Sequence, residues 1–191
     1  MTARILVRSS RRASGLSQKV LGERSGVAAS SLSLIESGER IPTVATLERL
    51  LAATGRSLVS IPTRRADAAK IAEQIAASLG DGEPASALRH FIQLNDNLTA
   101  EHNEVRFALT IAEPSPTGTK HWDAAIAALV EYRLQEEGLP VPTWTCDPAR
   151  MLRKSWTFSA GRYVVPVDRT RVPKAFLDRK VLIDEDTLMS Y

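Results

Sequence analysis

Apolar residues in the first sixty positions recur three and four apart in short bursts, and a glycine closes each burst. Ile5, Leu6 and Leu16 flank an arginine-rich stretch that runs to Gly15, a plausible helix end. Ser17 before Gln18, Lys19, Val20 and Leu21 reads as an N-cap followed by helix, with Gly26 as its stop. A third helix is expected over residues 27–36, closed by Ser37 and Gly38. Pro42 and Thr43 open a fourth, where Val44, Leu47, Leu50 and Leu51 hold helical spacing until Gly55. Leu58, Val59 and Ile61 complete the apolar pattern before Pro62.

Residues 63–66 are expected to link a first domain, residues 1–62, to a second, residues 67–191. Beyond the linker, Ile71, Ile75 and Leu79 mark one face of an alanine-rich helix ending at Gly80, Asp81 and Gly82. Pro84 suits the start of the next helix, through Leu88, Phe91, Ile92 and Leu94. Helix signals resume over residues 101–112, and residues 113–118 form a turn cluster. Trp122, Ile126, Leu129, Val130 and Leu134 then define a long helix ending at Gly138. Asp147 and Pro148 predict a helix reaching Met151 and Leu152. The tail mixes β-like runs such as Tyr163, Val164 and Val165 with a short helix around Ala175.

Charge changes this picture more than overall composition does. The net charge is +3, but residues 1–65 carry 11 Lys and Arg against 4 Asp and Glu. Residues 66–191 carry 14 against 18. A basic first third joined to an acidic remainder implies a polyanion partner for one part and a different partner for the other. No apolar run reaches the ~18 residues of a membrane span. The arginine-rich N-terminus lacks the apolar core of a signal peptide, and Cys146 is the only cysteine. A reducing cytoplasm is the expected location.

The stretch from Gly15 to Gly38 carries the chemistry. Leu16, Val20 and Leu21 give one short helix an apolar face, Gly26 and Val27 make a tight turn, and Leu32 and Ile35 give the next helix its apolar face. Two helices joined this tightly leave the second protruding, which suits entry into the ~12 Å major groove of DNA. Leu16-Ser17-Gln18, Gly26-Val27, Leu32, Ile35-Glu36, Gly38 and Pro42 together resemble the Cro/C1-type, or xenobiotic-response-element, helix-turn-helix family over about 53 of the 191 residues.

That resemblance implies a mainly α fold. It predicts a five-helix, lambda-repressor-like DNA-binding domain, followed here by a mostly helical domain with an irregular, partly β tail. It also implies roles. Gln18 takes a phosphate or an outer base, and Lys19, Arg40 and Arg12 contact phosphates. Ala28, Ala29, Ser30, Ser31, Ser33 and Leu34 form the exposed start and face of the recognition helix. Ser30 and Ser31 reach bases or phosphates there, and Ala29 and Leu34 meet thymine methyls. Arg11 and Glu36 match the positions of a buried structural ion pair in the family. Two departures stand out. Ala28 occupies a position that often holds a capping Ser or Thr, and no Arg, Gln or Asn lies on the recognition face. Shape readout, phosphate contacts and dimer avidity are therefore favoured over tight monomeric base readout.

Other constellations carry less. His90, His102 and His121 form no HExxH or other close ligand cluster, so no metal, cofactor or catalytic residue is expected. Convergence of His121, Asp123 and Cys146 on a metal, or of Cys146 with His121 as a catalytic pair, would require the fold to assemble them. Trp122, Trp144, Trp156, Phe158 and Tyr163 form either a packed core or an exposed binding patch. The alanine-rich helix over residues 67–79 is either a dimer seam or a connector packed on its own domain.

In the second domain, Pro116-Thr117-Gly118, His121-Trp122-Asp123, residues 138–144, Ala175-Phe176 and residues 181–184 loosely resemble actinobacterial helix-turn-helix proteins encoded beside nucleotidyltransferase-like toxins. The expected protein is a dimeric, non-enzymatic transcriptional repressor bound to double-stranded operator DNA. In its favoured form it is an antitoxin that represses its own operon and binds a cognate toxin. The alternatives are a stand-alone regulator whose second domain senses a small molecule, and an enzyme carrying a DNA-binding module.

Overall fold

The computed structural model describes residues 3–158 and 167–189. The chain forms two compact units: residues 1–62 with 112–114, and residues 63–111 with 115–191.

The first unit holds α1 (Ala3–Ala13), α2 (Gln18–Ser25), α3 (Ala29–Ser37) and α4 (Val44–Ala52). Local chemistry sets each boundary. The Ser17 hydroxyl accepts from the Val20 amide and Thr43 Oγ1 accepts from the Thr46 amide, so α2 and α4 start on side-chain caps. Gly26 (φ 68°) and Gly38 (φ 89°) take the left-handed conformation that ends α2 and α3. Val7, Leu21, Val27, Leu32, Ile35, Leu47, Leu50 and Leu51 form the core, one or more from every helix.

The described part of this unit contains four helices, not five. Residues 56–61 are non-helical, with Leu58 and Val59 exposed. Gly55 (φ 74°) stops α4, β-branched Val59 and Ile61 are weak helix formers, and Pro62 disfavours a helical Ile61. An apolar residue every two or three positions is insufficient here to nucleate another turn.

The second unit contains α5 (Ala68–Gly80), α6 (Pro84–Ala100), α7 (Asn103–Ala108), α8 (Lys120–Gln135) and α9 (Lys174–Asp178). Asp67 caps α5 by accepting from the Lys70 amide at 2.8 Å. Ala68, Ala69 and Ala72 are buried, and α5 packs against α6. The small side chains thus serve packing inside the chain, as the connector alternative expected. Helix α8 is buried nearly all round, from Trp122 through Val130 and on to Arg133 and Leu134. It is the central element, contacting α5, α6 and α9.

Some expected helices shrink. Residues 101–112 yield only α7, and Asp147–Pro148 opens a single 3-10 turn, Pro148–Arg150. Two short strands, β1 (Trp156–Thr157) and β2 (Val181–Leu182), pair in parallel with Trp156 opposite Val181. The expected β-like run at Tyr163, Val164 and Val165 lies outside the described residues.

Four arginines, Arg106, Arg133, Arg150 and Arg179, are buried in the described part of this unit. Arg106 donates to the carbonyls of Glu101 and Arg133. Arg133 donates to Asn95 Oδ1 and to the Leu188 carbonyl, and Arg179 to the carbonyls of Thr145 and Ala175. Arg106, Arg133 and Arg179 thus carry charge inward to main-chain oxygens of other segments, and each also pairs with a carboxylate, Glu137, Glu136 and Glu131 respectively. The aromatic residues form a ring cluster: Phe91 and Trp122 lie 6.0 Å apart, and Phe158 packs within 5.2 Å of Trp122 and Trp156. Trp144 is also buried, its indole N–H donating to the Thr110 carbonyl. The packed-core alternative describes these rings.

Candidate nucleic-acid interface

The geometry of α2 and α3 depends on a close backbone approach. The Val27 amide donates to the Gly22 carbonyl at 3.1 Å, and a Cβ on Gly22 would sit 2.7 Å from the Val27 carbonyl oxygen. Only glycine fits, so the turn between the two helices is as tight as the sequence pattern demanded. Leu32 and Ile35 turn into the core. Ala28, Ala29, Ser30, Ser33 and Leu34 are consequently exposed, with Ser31 half-buried beside them.

Ala28 occupies the N-cap of α3 and no side chain caps that helix start. The first amides of α3 carry the positive end of the helix dipole at an exposed end, an arrangement that favours a phosphate.

Behind α3 sits the ion pair. Arg11 Nε donates to Glu36 Oε1 at 2.7 Å and Arg11 Nη2 to Glu36 Oε2 at 2.9 Å, a bidentate fork. Arg11 Nη1 also donates to the Leu16 carbonyl at 2.9 Å, so one guanidinium ties α1 to the start of α2 and the end of α3. The hydrogen bond to Glu36 raises the Arg11 pKa further above its ordinary value, and the arginine stays charged. Gln18 joins the group: its Nε2 donates to Glu36 Oε2 at 2.9 Å. One amide donor of Gln18 is therefore engaged within the protein.

The remaining residues expected at the interface divide. Lys19 is exposed in the first turn of α2. Arg12 is exposed on α1 and pairs with Glu113 at 3.1 Å, so it meets a phosphate only in competition with a carboxylate. Arg40 lies past the end of α3, yet its Nη1 donates to Ser31 Oγ at 2.9 Å and its amide to the Leu34 carbonyl at 3.0 Å. Helix α3 thus gains a guanidinium that its own sequence lacks. Gly38 reverses the chain and brings Arg40 back over the face, a proximity invisible in linear spacing.

Exposed small side chains, an uncapped helix start and Arg40 over Ser31 define a surface shaped for the DNA groove. Residues 7–61 match the helix-turn-helix family model. This match supports a DNA-binding regulator of transcription. No curated protein and no solved structure matches the chain.

Sites outside the first unit carry little chemistry. His121 stacks on Trp156 with ring centroids 5.0 Å apart, Asp123 accepts from the amide and hydroxyl of Thr117, and Cys146 is exposed. Among the described residues no group of three or more His, Cys, Asp or Glu side chains could hold a metal ion. No described helix is long and apolar enough to cross a membrane.

Proposed function

We propose that the chain is a transcriptional repressor that binds a two-fold operator as two copies, with α3 in the major groove and a partner protein on the second unit. The observation that carries the reading is the exposed face of α3, flanked by Arg40 on Ser31. Side chains as short as Ser30 and Ser31 make few discriminating contacts, each good bidentate pair being worth ~1–3 kcal/mol. Two copies about one helical turn apart, ~34 Å, supply the selectivity that one lacks.

The partner is a toxin encoded beside this gene, which makes the chain an autoregulating antitoxin. Support comes from the resemblance noted for the second domain and from charge. Residues 66–148 carry 5 Lys and Arg against 13 Asp and Glu, an acidic region suited to a basic, nucleic-acid-handling enzyme.

The test is a binding titration on the DNA upstream of the gene, with footprinting, followed by co-expression with the neighbouring gene product. Inverted half-sites and loss of the footprint on Ala29→Glu are expected. Ala29→Glu adds an acid in the first turn of α3, where it suits the helix dipole but repels phosphate. A single asymmetric site bound by one chain overturns the two-copy reading. A neighbouring product that neither co-purifies with the chain nor is neutralised by it overturns the antitoxin reading.

A further inference from the structure

The second unit is acidic only on average. Its charge reverses after residue 148: residues 149–180 carry 9 Lys and Arg against 2 Asp and Glu. The fold gathers part of this excess. Because β1 and β2 run in parallel, the residues entering each strand lie at the same end of the pair. Arg153 and Lys154 precede β1 and Lys180 precedes β2, and all three are exposed. The Lys180 ammonium donates to the Arg153 carbonyl at 2.9 Å, which fixes the two segments together. Among the described residues none of the three makes an ion pair with a carboxylate. The nearby acid in the chain, Asp178, is exposed two positions before Lys180.

Two further features converge on this end of the strands. Lys180 has φ 59°, in the left-handed region that favours glycine at the end of a helix, and here it follows α9. A lysine is held where its backbone is strained, with its charge outward. The start of α8 lies alongside, since His121 stacks on Trp156 of β1. Its Lys120 and His121 are exposed, while Asp123 of the same turn is turned inward onto Thr117.

We infer that Arg153, Lys154 and Lys180, with the start of α8, form a second DNA-contacting surface that binds the phosphates of a duplex. The aromatic residues argue for duplex over single-stranded nucleic acid. Trp156 and Phe158 pack against each other and against Trp122, so they present no free platform for unpaired bases. The surface is basic without long polar readers, so it adds affinity and salt dependence and not sequence preference. This goes beyond the recognition helix and is independent of it.

The experiment uses the full chain and a duplex of unrelated sequence, titrated across a salt series. In a chain disabled at α3 by Ala29→Glu, residual duplex binding should persist with a log–log salt slope to which Arg153, Lys154 and Lys180 contribute about −2.7, from three contacts at ~0.9 each. Adding Arg153→Ala, Lys154→Ala and Lys180→Gly should reduce its magnitude by about 2.7, leaving the share of the first unit's cations. Lys180→Gly relieves the left-handed strain but removes the hydrogen bond to the Arg153 carbonyl, so tryptophan fluorescence, with Trp156 in the adjoining strand, checks that the fold is kept. With α3 intact, the triple variant should lower the slope while leaving operator preference unchanged. An unchanged slope in the folded triple variant overturns the proposal, as does tighter binding to single-stranded DNA than to duplex. Operator preference that survives Ala29→Glu overturns the α3 reading instead, leaving the triple variant to decide this one.

Discussion

In the first unit the interior is aliphatic, and Arg11, paired with Glu36, still keeps 17% of its side chain exposed. In the second, Arg106, Arg133 and Arg179 are each at least nine-tenths buried and bind main-chain carbonyls from distant segments as well as the carboxylates of Glu137, Glu136 and Glu131. One unit is assembled by local signals, caps and glycine turns, with the Arg11–Glu36 pair as a charged fastener. The other is assembled by long-range contacts in which buried cations select which loops lie together. Such interiors are costly to disturb, because removing a partner leaves polar groups stranded away from water.

The contrast can be broken one unit at a time, because every Trp, Tyr and Phe lies beyond residue 62. Tryptophan fluorescence therefore reports the second unit alone. The largest effect is expected for Arg133→Ala, which removes the guanidinium from Asn95 Oδ1 and leaves the Leu188 carbonyl with Asn95 Nδ2 alone. A loss of about 3–5 kcal/mol should lower the fluorescence-detected urea midpoint by at least about 1 M. A midpoint unchanged within error would mean that the arginine is not a fastener.

Arg11→Ala should come next, at about 2–3 kcal/mol, less than a fully buried pair because solvent reaches the guanidinium. DNA affinity and the helical signal of the first unit should fall while the tryptophan midpoint stays in place. A shifted tryptophan midpoint would show that the two interiors melt together. Gly22→Ala should be smaller, about 1–2 kcal/mol, as the turn gives way around a Cβ placed 2.7 Å from the Val27 oxygen. Circular dichroism melting of the full chain measures it, and a melting curve identical to that of the parent would mean the turn absorbs the methyl without strain.

The same division explains what the sequence made legible. Ser17, Gly26, Gly38 and Thr43 act within four residues of themselves, so α2, α3 and the start of α4 could be read directly. The resemblance supplied Arg11 with Glu36, a contact across 25 positions that spacing alone does not reveal. It also implied a fifth helix, which residues 56–61 are unable to form. Gln18 was assigned to DNA alone, although Glu36 engages one of its donors. In the second unit the helices were legible from periodicity, but nothing local announces that Arg133 must find Leu188. Averaging charge over residues 66–191 concealed the basic stretch 149–180, which a shorter window exposes.

Ala28 gives α3 a start that no side chain completes. In the free protein, the first amides of α3 are left to water, and they are the groups expected to exchange hydrogen fastest within that element. A phosphate at that end would supply the missing acceptor, so the final turn of folding would occur on the operator. Part of the binding free energy would then go into ordering the helix start, and affinity would be lower than for a pre-capped helix. In return, the recognition element keeps a compliant leading edge with which to test each groove before it settles.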